Sequence, residues 1–388
     1  MILLPGTYVS LDDIRMRLDD IDREILRLLA ARRDSVRDVA ATKVRDNLAL
    51  RHPGREQELL LRAIRHGRTL GLSAPFVMQV FRAIIGDSVR LQHEELQRLM
   101  SDEAATGLLR GAFLGSEGSF SHVAMRAFAM GRGQRLSPVP AERFRAVTAA
   151  VEEGRADIGA LPIENSTSGG INEVYDLIMH TRLAIVGEQR MPIVHCLCTR
   201  EGVSLDDVEV VYSHPQPAAQ CSEFLEQLGV RVEVSSDTAA AAARVSSSDT
   251  MCAAIASAEA AEIHGLMVLE DEIANSVGNS TRFLFVARER EPIDARIPCK
   301  TSLVMSTAQR PGALVDALLV FRDAGLTLTK LESRPVPANT WEEMFYVDFQ
   351  GHIDDAEVQQ ALTRLGDHTR SVRVLGSYPS DDLPTPTL

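Results

Sequence analysis

Residues 161–177 read LPIENSTSGGINEVYDL and residues 275–285 read NSVGNSTRFLF, so the tripeptide Asn-Ser-Thr occurs at 165–167 and again at 279–281. The first copy follows ADIGALPI within an alternation of strands and helices, and the second lies in EIANSVGNSTRFLFVA, where the chain comes back. Between them a second alternating block is read from about Ala184 to Leu269. Its strands fall near VEVVYS and VRVEVSS, and its helices near AAQCSEFLEQL and TAAAAARVS. One α/β block inserted in another makes two lobes joined by two crossing segments. Ligands in such folds sit in the cleft beside the crossings. Both tripeptides flank the insert and are expected at that cleft, their repetition itself being read as coincidence.

Taken as N-glycosylation acceptors, the tripeptides require a secreted chain. The opening MILLPGTYVSLDDIRMRLDD shows no signal-peptide pattern, and no apolar stretch approaches the ~20 residues of a spanning helix. Five cysteines in 388 residues are odd in number and too few for a disulfide scaffold. The expectation is a cytoplasmic chain, so the acceptor reading fails. A net charge of -13 disfavours nucleic acid and membrane as partners, because both reward a basic surface. Small molecules are expected instead. The length and the 45% hydrophobic content suit two or three domains of the usual ~100 to 200 residues. The basic residues are nearly all arginine, with Lys43 the only lysine before Lys300, so a lysine here needs a reason.

From Leu11 the apolar residues fall at Leu11, Ile14, Leu18, Ile21, Ile25 and Leu28, the spacing of one helical stripe. A helix from about Leu11 to Lys43 is predicted, roughly 50 Å long at ~1.5 Å per residue. That exceeds what one compact domain covers and implies a partner helix or a second chain. The stripe continues through Arg32, Val36, Val39 and Lys43, with Arg15 one turn from Leu11 and Leu18. Snorkelling accounts for any one of these cations as well as a ligand does. Three together are more economically explained by a shared anionic ligand, since buried unpaired cations are costly. Further helices are predicted from about Arg55 to Arg68, after the His52-Pro53-Gly54 turn, and from about Ala74 to Met100. In the last, the row from Ile84 reaches Ser88 and Gln92, which singly are helix-end polar residues and beside the cations are candidate donors.

After a SDEAATG linker, GAFLGSEGSFSHVAMRAF reads as a strand, a glycine-rich turn and a helix opening near Ser119 to Ser121, whose free amides favour an anion. The glycines do not match G-x-G-x-x-G, which argues against a dinucleotide fold. His195, Cys196 and Cys198 in PIVHCLCT raise the question of a metal. Their surroundings read as a buried strand and no second ligand pair completes a site, so no metal is expected. From Lys300 the order is strand, helix, strand, strand, helix, strand, a ferredoxin-like unit, with Trp341 between a proline-rich turn and the fourth element.

The set LDDIDREILRLLAARR, Lys43, RHPGRE and DSVRLQ resembles the all-helical chorismate mutase domain, whose dimer interlocks long helices around two active sites. The resemblance implies that Arg15 and Arg32 clamp the substrate's two carboxylates, where Arg15 can serve the other subunit's site. It implies that Lys43 and Gln92 donate to the ether oxygen, and that Arg55, Glu56 and Ser88 hold the ring hydroxyl and a carboxylate. His52, where the family carries Asp, joins the substrate-binding set. A pericyclic rearrangement needs conformational restraint and donors where charge develops, not a nucleophile or a proton relay. A compact ammonium suits a single oxygen, which gives Lys43 its reason.

FLGSEGSFSH, ALPIENSTSGGINEVYDL, YSHPQPAAQC and NSTRF resemble prephenate dehydratase, a two-lobed α/β fold similar to periplasmic binding proteins, with Ser116 where proline is usual. The resemblance implies that Thr281 donates a proton to the leaving ring hydroxyl as carbon dioxide departs. Ser119, Glu164, Asn165, Ser213, Gln220, Arg282 and Phe283 are then the substrate-binding residues. On residue type alone, Glu164 is a solvated loop carboxylate and Ser213 a helix cap. RPGALV, LESRP and NTWEEMFY resemble the ACT regulatory domain. They imply a phenylalanine site at a domain interface, built by Gly312, Ala313, Leu314 and Val315 with Glu332, Ser333, Arg334 and Pro335. By spacing alone, GALV is helix core and ESRP a solvated turn.

The expected chain is multidomain: an all-α mutase over 1–101, a two-lobed α/β dehydratase over 108–290 and a ferredoxin-like α+β ACT unit over 298–380. It would act as a homodimer or higher homo-oligomer on chorismate and prephenate, under inhibition by L-phenylalanine and without a cofactor. A non-catalytic sensor is disfavoured by Thr281 and by the Arg15, Arg32 and Lys43 set. A mutase fused to a prephenate dehydrogenase would need a nicotinamide fingerprint that the sequence does not show.

Overall fold

The computed structural model describes residues 10–46, 48, 53–100, 107–294, 297–336 and 339–381, with backbone alone at 53, 93–94, 97–100, 336 and 339–342. It divides into two units after Asp102. The first holds α1 (Leu11–Arg45), α2 (Pro53–Thr69) and α3 (Ala74–Met100). Ser10 starts α1 in a reciprocal cap: Asp13 N donates to Ser10 Oγ at 3.1 Å, and Ser10 N to Asp13 Oδ2 at 3.3 Å. Ala40, Leu60, Val77, Val89, Leu91 and Leu96 form its buried core. The stripe from Leu11 to Leu28 takes no part in it, its six apolar residues remaining 44% to 62% exposed. The partner that the periodicity implies is therefore not supplied within this unit.

The first lobe of the second unit contains β1 (Leu108–Leu114), α4 (Phe120–Gly131), β2 (Arg135–Ala141), α5 (Phe144–Glu152), β3 (Ile158–Asn165), β4 (Gly169–Gly170), α6 (Asn172–His180) and β5 (Ala184–Pro192). The chain then builds a second lobe from β6 (Cys196–Thr199), β7 (Val210–Ser213), α7 (Pro215–Gln220), α8 (Ser222–Leu228), β8 (Arg231–Val234), α9 (Thr238–Ser246), β9 (Cys252–Ala256), α10 (Ala258–Ile263) and β10 (Met267–Glu270). It returns to the first lobe as β11 (Ser280–Ala287). The sheet orders are β2-β1-β3-β11-β5, with β4 on β3, and β10-β6-β9-β7-β8. The insert expected from about Ala184 thus begins later. β5 pairs antiparallel with β11 in the first lobe's sheet, and a strand's own pattern does not say which sheet it joins.

The remaining elements, β12 (Cys299–Thr307), α11 (Ala313–Asp323), β13 (Leu328–Val336), β14 (Asn339–Gln350), α12 (Ala356–His368) and β15 (Thr369–Pro379), follow the predicted βαββαβ order in a sheet β13-β14-β12-β15. Strand alternation gives that sheet two apolar faces. Leu303, Met305, Phe345, Val347 and Phe349 pack with Ala317, Val320, Phe321 and Leu365 of the helices. Val304, Tyr346, Leu375 and Tyr378 instead join Ile163, Tyr175, Ile185 and Leu284 of the first lobe in one shared core. Among the described residues no helix is long and apolar enough to cross a membrane.

The two sheets pack tightly at Gly376, where an added Cβ would lie 2.0 Å from the Ile185 carbonyl oxygen. Gly376→Ala must push β5 and β15 apart. It is expected to destabilise the chain by about 1 to 3 kcal/mol, the usual cost of overpacking, measured by denaturant unfolding.

Candidate functional site

In the helical unit the predicted polar residues of α1 and α3 meet. Arg32 Nη1 donates to Ser88 Oγ and, at 3.4 Å, to the Ile84 carbonyl, while Lys43 Nζ donates to Gln92 Oε1 at 2.8 Å. Ser88 and Gln92 are buried. Gln92 is oriented from behind, its Nε2 donating to the Ser88 carbonyl at 3.1 Å. Burial pulls Arg32 and Lys43 below their ordinary values, opposed by Asp87 for Arg32 and by Glu56 for Lys43. Glu56 on α2 therefore acts on the same pocket. Arg55 reaches Glu58 at 2.9 Å on the solvent side of α2, and Arg15 lies on the exposed face of α1 in a 3.5 Å ion contact with Asp12. His52 lies outside the described residues. Two half-buried cations with neutral donors beside them can bind an anion and donate to a single oxygen.

In the second unit a cavity of about 1110 Å³ opens between the lobes, lined by Ser119, Asn165, Gln220, Thr281 and Phe283 among others. The two Asn-Ser-Thr tripeptides meet at its floor. β3 and β11 run antiparallel with Thr281 opposite Asn165. Ser166 N donates to the Ser280 carbonyl at 2.8 Å, and Ser280 N to Ser166 Oγ at 2.9 Å. Asn165 is the hub of this contact. Its Nδ2 donates to Asn279 Oδ1 at 2.7 Å and to Thr281 Oγ1 at 2.9 Å, and its Oδ1 accepts from the Thr167 and Ser168 amides at 3.0 Å. Both side-chain ends of Asn165 are occupied, so the amide is fixed. An N–H directed at Thr281 Oγ1 polarises that hydroxyl and leaves the threonine proton free to be donated.

The glycine-rich turn is built against both lobes. Ser119 caps α4, accepting from His122 N at 3.3 Å and donating to the Leu114 carbonyl at 3.0 Å. Ser119, Phe120 and Ser121 then present the helix N-terminus to the cavity. Gly118 has φ of 95°, and a Cβ there would stand 2.9 Å from Ala260 Cα of the second lobe. Glycine satisfies both demands, and Ser257 Oγ closes the contact by donating to the Gly118 carbonyl at 3.0 Å.

Three of the expected substrate-binding residues lie away from this cavity. Glu164 and Arg282 each sit one residue from a cavity residue, and the period of two in a strand turns them to the opposite face of the sheet. There Arg282 is buried: Nε donates to Glu188 Oε2 at 2.6 Å, Nη2 donates to the Tyr378 hydroxyl at 3.1 Å, and Nη1 lies 2.7 Å from Asp348 Oδ2 and 3.4 Å from Glu164 Oε1. Lys300 meets Glu188 at 2.8 Å and Lys330 meets Glu164 at 2.9 Å. Burial opposes the charge on Arg282, but Asp348 and Glu188 hold it well above the ordinary guanidinium value. Burial likewise opposes the Glu164 carboxylate, yet Lys330 and Arg282 keep it below the usual range. The third is Ser213, which is buried, donates to the His214 carbonyl at 3.0 Å and does not line the cavity. The cap of α7 is His214 instead, accepting from Gln216 N at 3.3 Å.

Arg143 and His195 are among the lining residues that escape the sequence reading. Arg143 supplies a cation at the cavity wall, and nothing in its local sequence marks it. The sequence alone presents His195 as a buried strand residue. It is indeed 1% exposed, but it stands in the first crossing and lines the cavity. Burial holds its imidazole below the ordinary value, partly offset by the hydrogen bond with Gln220. The available signal was a polar residue in an apolar run next to a lobe crossing.

A smaller cavity of about 380 Å³ lies at the start of α11, lined by Gly312, Ala313, Leu314 and Val315 with Thr307, Arg310 and Phe345. Glu332, Ser333, Arg334 and Pro335 do not line it within one chain. Arg334 instead grips Asp176 of α6 through two hydrogen bonds of 2.8 and 2.9 Å, and Glu332 lies 3.6 Å from Lys330.

Comparison with known proteins matches residues 14–93 to the family chorismate mutase type II and residues 112–291 to the family prephenate dehydratase. A bifunctional chorismate mutase/prephenate dehydratase of Enterobacter agglomerans is 41% identical over 95% of this chain and 96% of its own. A crystal structure of prephenate dehydratase from Arthrobacter aurescens in complex with L-Phe is 30% identical, covers 70% of this chain and 90% of its own, and has a TM-score of 0.64. GqqA, described as a novel type of quorum quenching acylase, is 32% identical, covers 70% of this chain and 98% of its own, and has the same TM-score of 0.64.

The charge network yields a direct test. Asp348→Asn leaves Arg282 buried with one carboxylate fewer. Removing one partner of a buried ion pair costs about 3 to 5 kcal/mol, and with Glu188 still in place the loss is expected near the lower end, measured by denaturant unfolding of the full chain.

Proposed function

The chain belongs to the bifunctional chorismate mutase/prephenate dehydratase family, and on that premise we propose the residues that carry its two activities and the means of their control. It carries a chorismate mutase and a prephenate dehydratase domain. The functional division proposed is mutase over 1–101, dehydratase over 108–290 and an ACT regulatory unit over 298–380. Chorismate is held in the helical unit by Arg32, with Arg15 reaching a site in a second copy. Lys43 and Gln92 donate to the ether oxygen as it gains charge, and Ser88, Arg55 and Glu56 hold the remaining polar groups. The contacts of Arg32 with Ser88 and of Lys43 with Gln92 support this reading.

Prephenate is bound in the two-lobed cleft. The bond to the ring carboxylate breaks and its electron pair enters the ring. The ring C–O bond breaks, and the hydroxyl leaves as water with the proton that Thr281 donates and solvent restores. The observation that carries this reading is the Asn165 amide directed at Thr281 Oγ1 within the cavity. General acid assistance of this kind contributes about 10²- to 10⁴-fold. Arg143 and the α4 N-terminus are suited to the substrate's anionic groups.

L-phenylalanine is the proposed feedback inhibitor. The L-Phe complex of the Arthrobacter aurescens dehydratase supports this, as does a cavity of amino-acid size beside GALV. Because Glu332–Pro335 lie away from that cavity, its completion is assigned to a second copy of the chain. The exposed α1 stripe also supports a homodimer or higher homo-oligomer, since contiguous apolar surface of this kind marks an interaction face. A cytoplasmic location suits these substrates.

The purified chain is expected to convert chorismate to phenylpyruvate. Thr281→Ala should lower dehydratase turnover by about 10²-fold or more while sparing the mutase, and Arg32→Ala should do the reverse; prephenate and phenylpyruvate measured separately report each step. Prephenate accumulating in the unaltered chain would sink the dehydratase assignment. Lys43 must be protonated to donate, and burial lowers it from 10.5. Mutase kcat/KM should therefore fall as pH rises through a value below 10.5, read from a pH profile with chorismate.

A further inference from the structure

His195 is a buried polar residue of the cleft to which the steps above give no task. It lies in the first crossing, where its carbonyl accepts from Ile273 N of the second crossing at 3.1 Å. Phe120 stands edge-on to its ring with centroids 5.6 Å apart, and Nε2 meets Gln220 Oε1 at 2.9 Å. With the Gln220 carboxamide oxygen, which only accepts, facing it, Nε2 carries the proton and Nδ1 is left as a bare acceptor. Nδ1 is buried and has no hydrogen-bond partner among the described residues. Buried polar atoms are rarely left so, and the residue lines the cavity.

The substrate's chemistry supplies the missing partner. Prephenate at neutral pH bears carboxylates, a ketone and a single hydroxyl, so its one hydrogen-bond donor is the ring hydroxyl that must leave. Resting on the dehydratase reading of this cleft, we propose that His195 is a substrate-positioning residue whose Nδ1 accepts the hydrogen bond of that hydroxyl while Thr281 donates to the same oxygen. Accepting this proton's hydrogen bond makes the oxygen more basic and turns its lone pairs toward the threonine. No proton passes to His195, which stays neutral throughout. Gln220, by holding Nε2–H, keeps the ring in the tautomer that can accept.

Two substitutions in the full chain separate positioning from packing. His195→Asn can place an amide oxygen where Nδ1 stands, whereas His195→Gln reaches the Nε2 position and leaves the Nδ1 position empty. His195→Gln is expected to lower dehydratase kcat about 10- to 100-fold with little change in KM, the loss of one hydrogen bond felt in the transition state. His195→Asn should recover most of it. A second measurement leaves His195 unchanged: in ¹⁵N-histidine-labelled Thr281→Ala chain, prephenate should shift the Nδ1 resonance and phenylpyruvate, which lacks the ring hydroxyl, should not. Equal losses in the Asn and Gln variants, or an Nδ1 resonance blind to prephenate, would overturn the proposal. An unaltered chain that fails to consume prephenate overturns the dehydratase reading instead, so the two failures are distinct.

Discussion

The Arg282 guanidinium, buried between Glu188 and Asp348, is the contact on which the second unit is organised. A buried cation is tolerated only when paired, and here its carboxylates come from two sheets, Glu188 from β5 and Asp348 from β14. Separating the sheets would strand charge on both sides. The same strand that carries Arg282 carries Thr281 one residue earlier, facing the cleft. Strand β11 is thus held from behind by the C-terminal sheet while its front face lines the cleft. Any shift of the C-terminal sheet bears on the strand that carries Thr281 into the cleft.

The scarcity of lysine becomes intelligible on the same grounds. Lys43 meets Gln92, Lys300 meets Glu188 and Lys330 meets Glu164, each a compact ammonium directed at an oxygen that the structure holds in place. Arginine, whose planar fork asks for several acceptors, dominates elsewhere. In the helical unit, Lys43 and Arg32 sit where an apolar stripe would otherwise continue, and the outward stripe from Leu11 to Leu28 stays exposed. Polar side chains at core positions and apolar ones at exposed positions are opposite departures from the helical pattern. Both fall on α1.

Much of this was legible in the chain. The 3.6-residue period of α1, the βαββαβ order after Lys300 and the insertion of one α/β block in another all appear in the structure, because each is local patterning repeated over many residues. Asn165, Gln220 and Thr281 line one cavity. Glu164 and Arg282 did not follow, because adjacent residues of a motif point to opposite faces of a strand. His195 escapes the sequence reading because a buried strand residue and a cleft residue look alike in one dimension, whereas Ser213, expected at the cleft, lies buried beside the His214 cap.

The sequence by itself determined the elements, their order and the residue types available for chemistry, since these rest on periodicity, turn residues and short motifs. Only the tertiary structure decided which strand joined which sheet, that β5 belongs with β11, and that the two Asn-Ser-Thr tripeptides touch across the sheet rather than merely share a cleft. It also decided that the charges beside them serve the junction with the C-terminal sheet. The physical reason is that a strand exposes two faces at once, and which face meets ligand and which meets protein is set by packing partners far away in the chain.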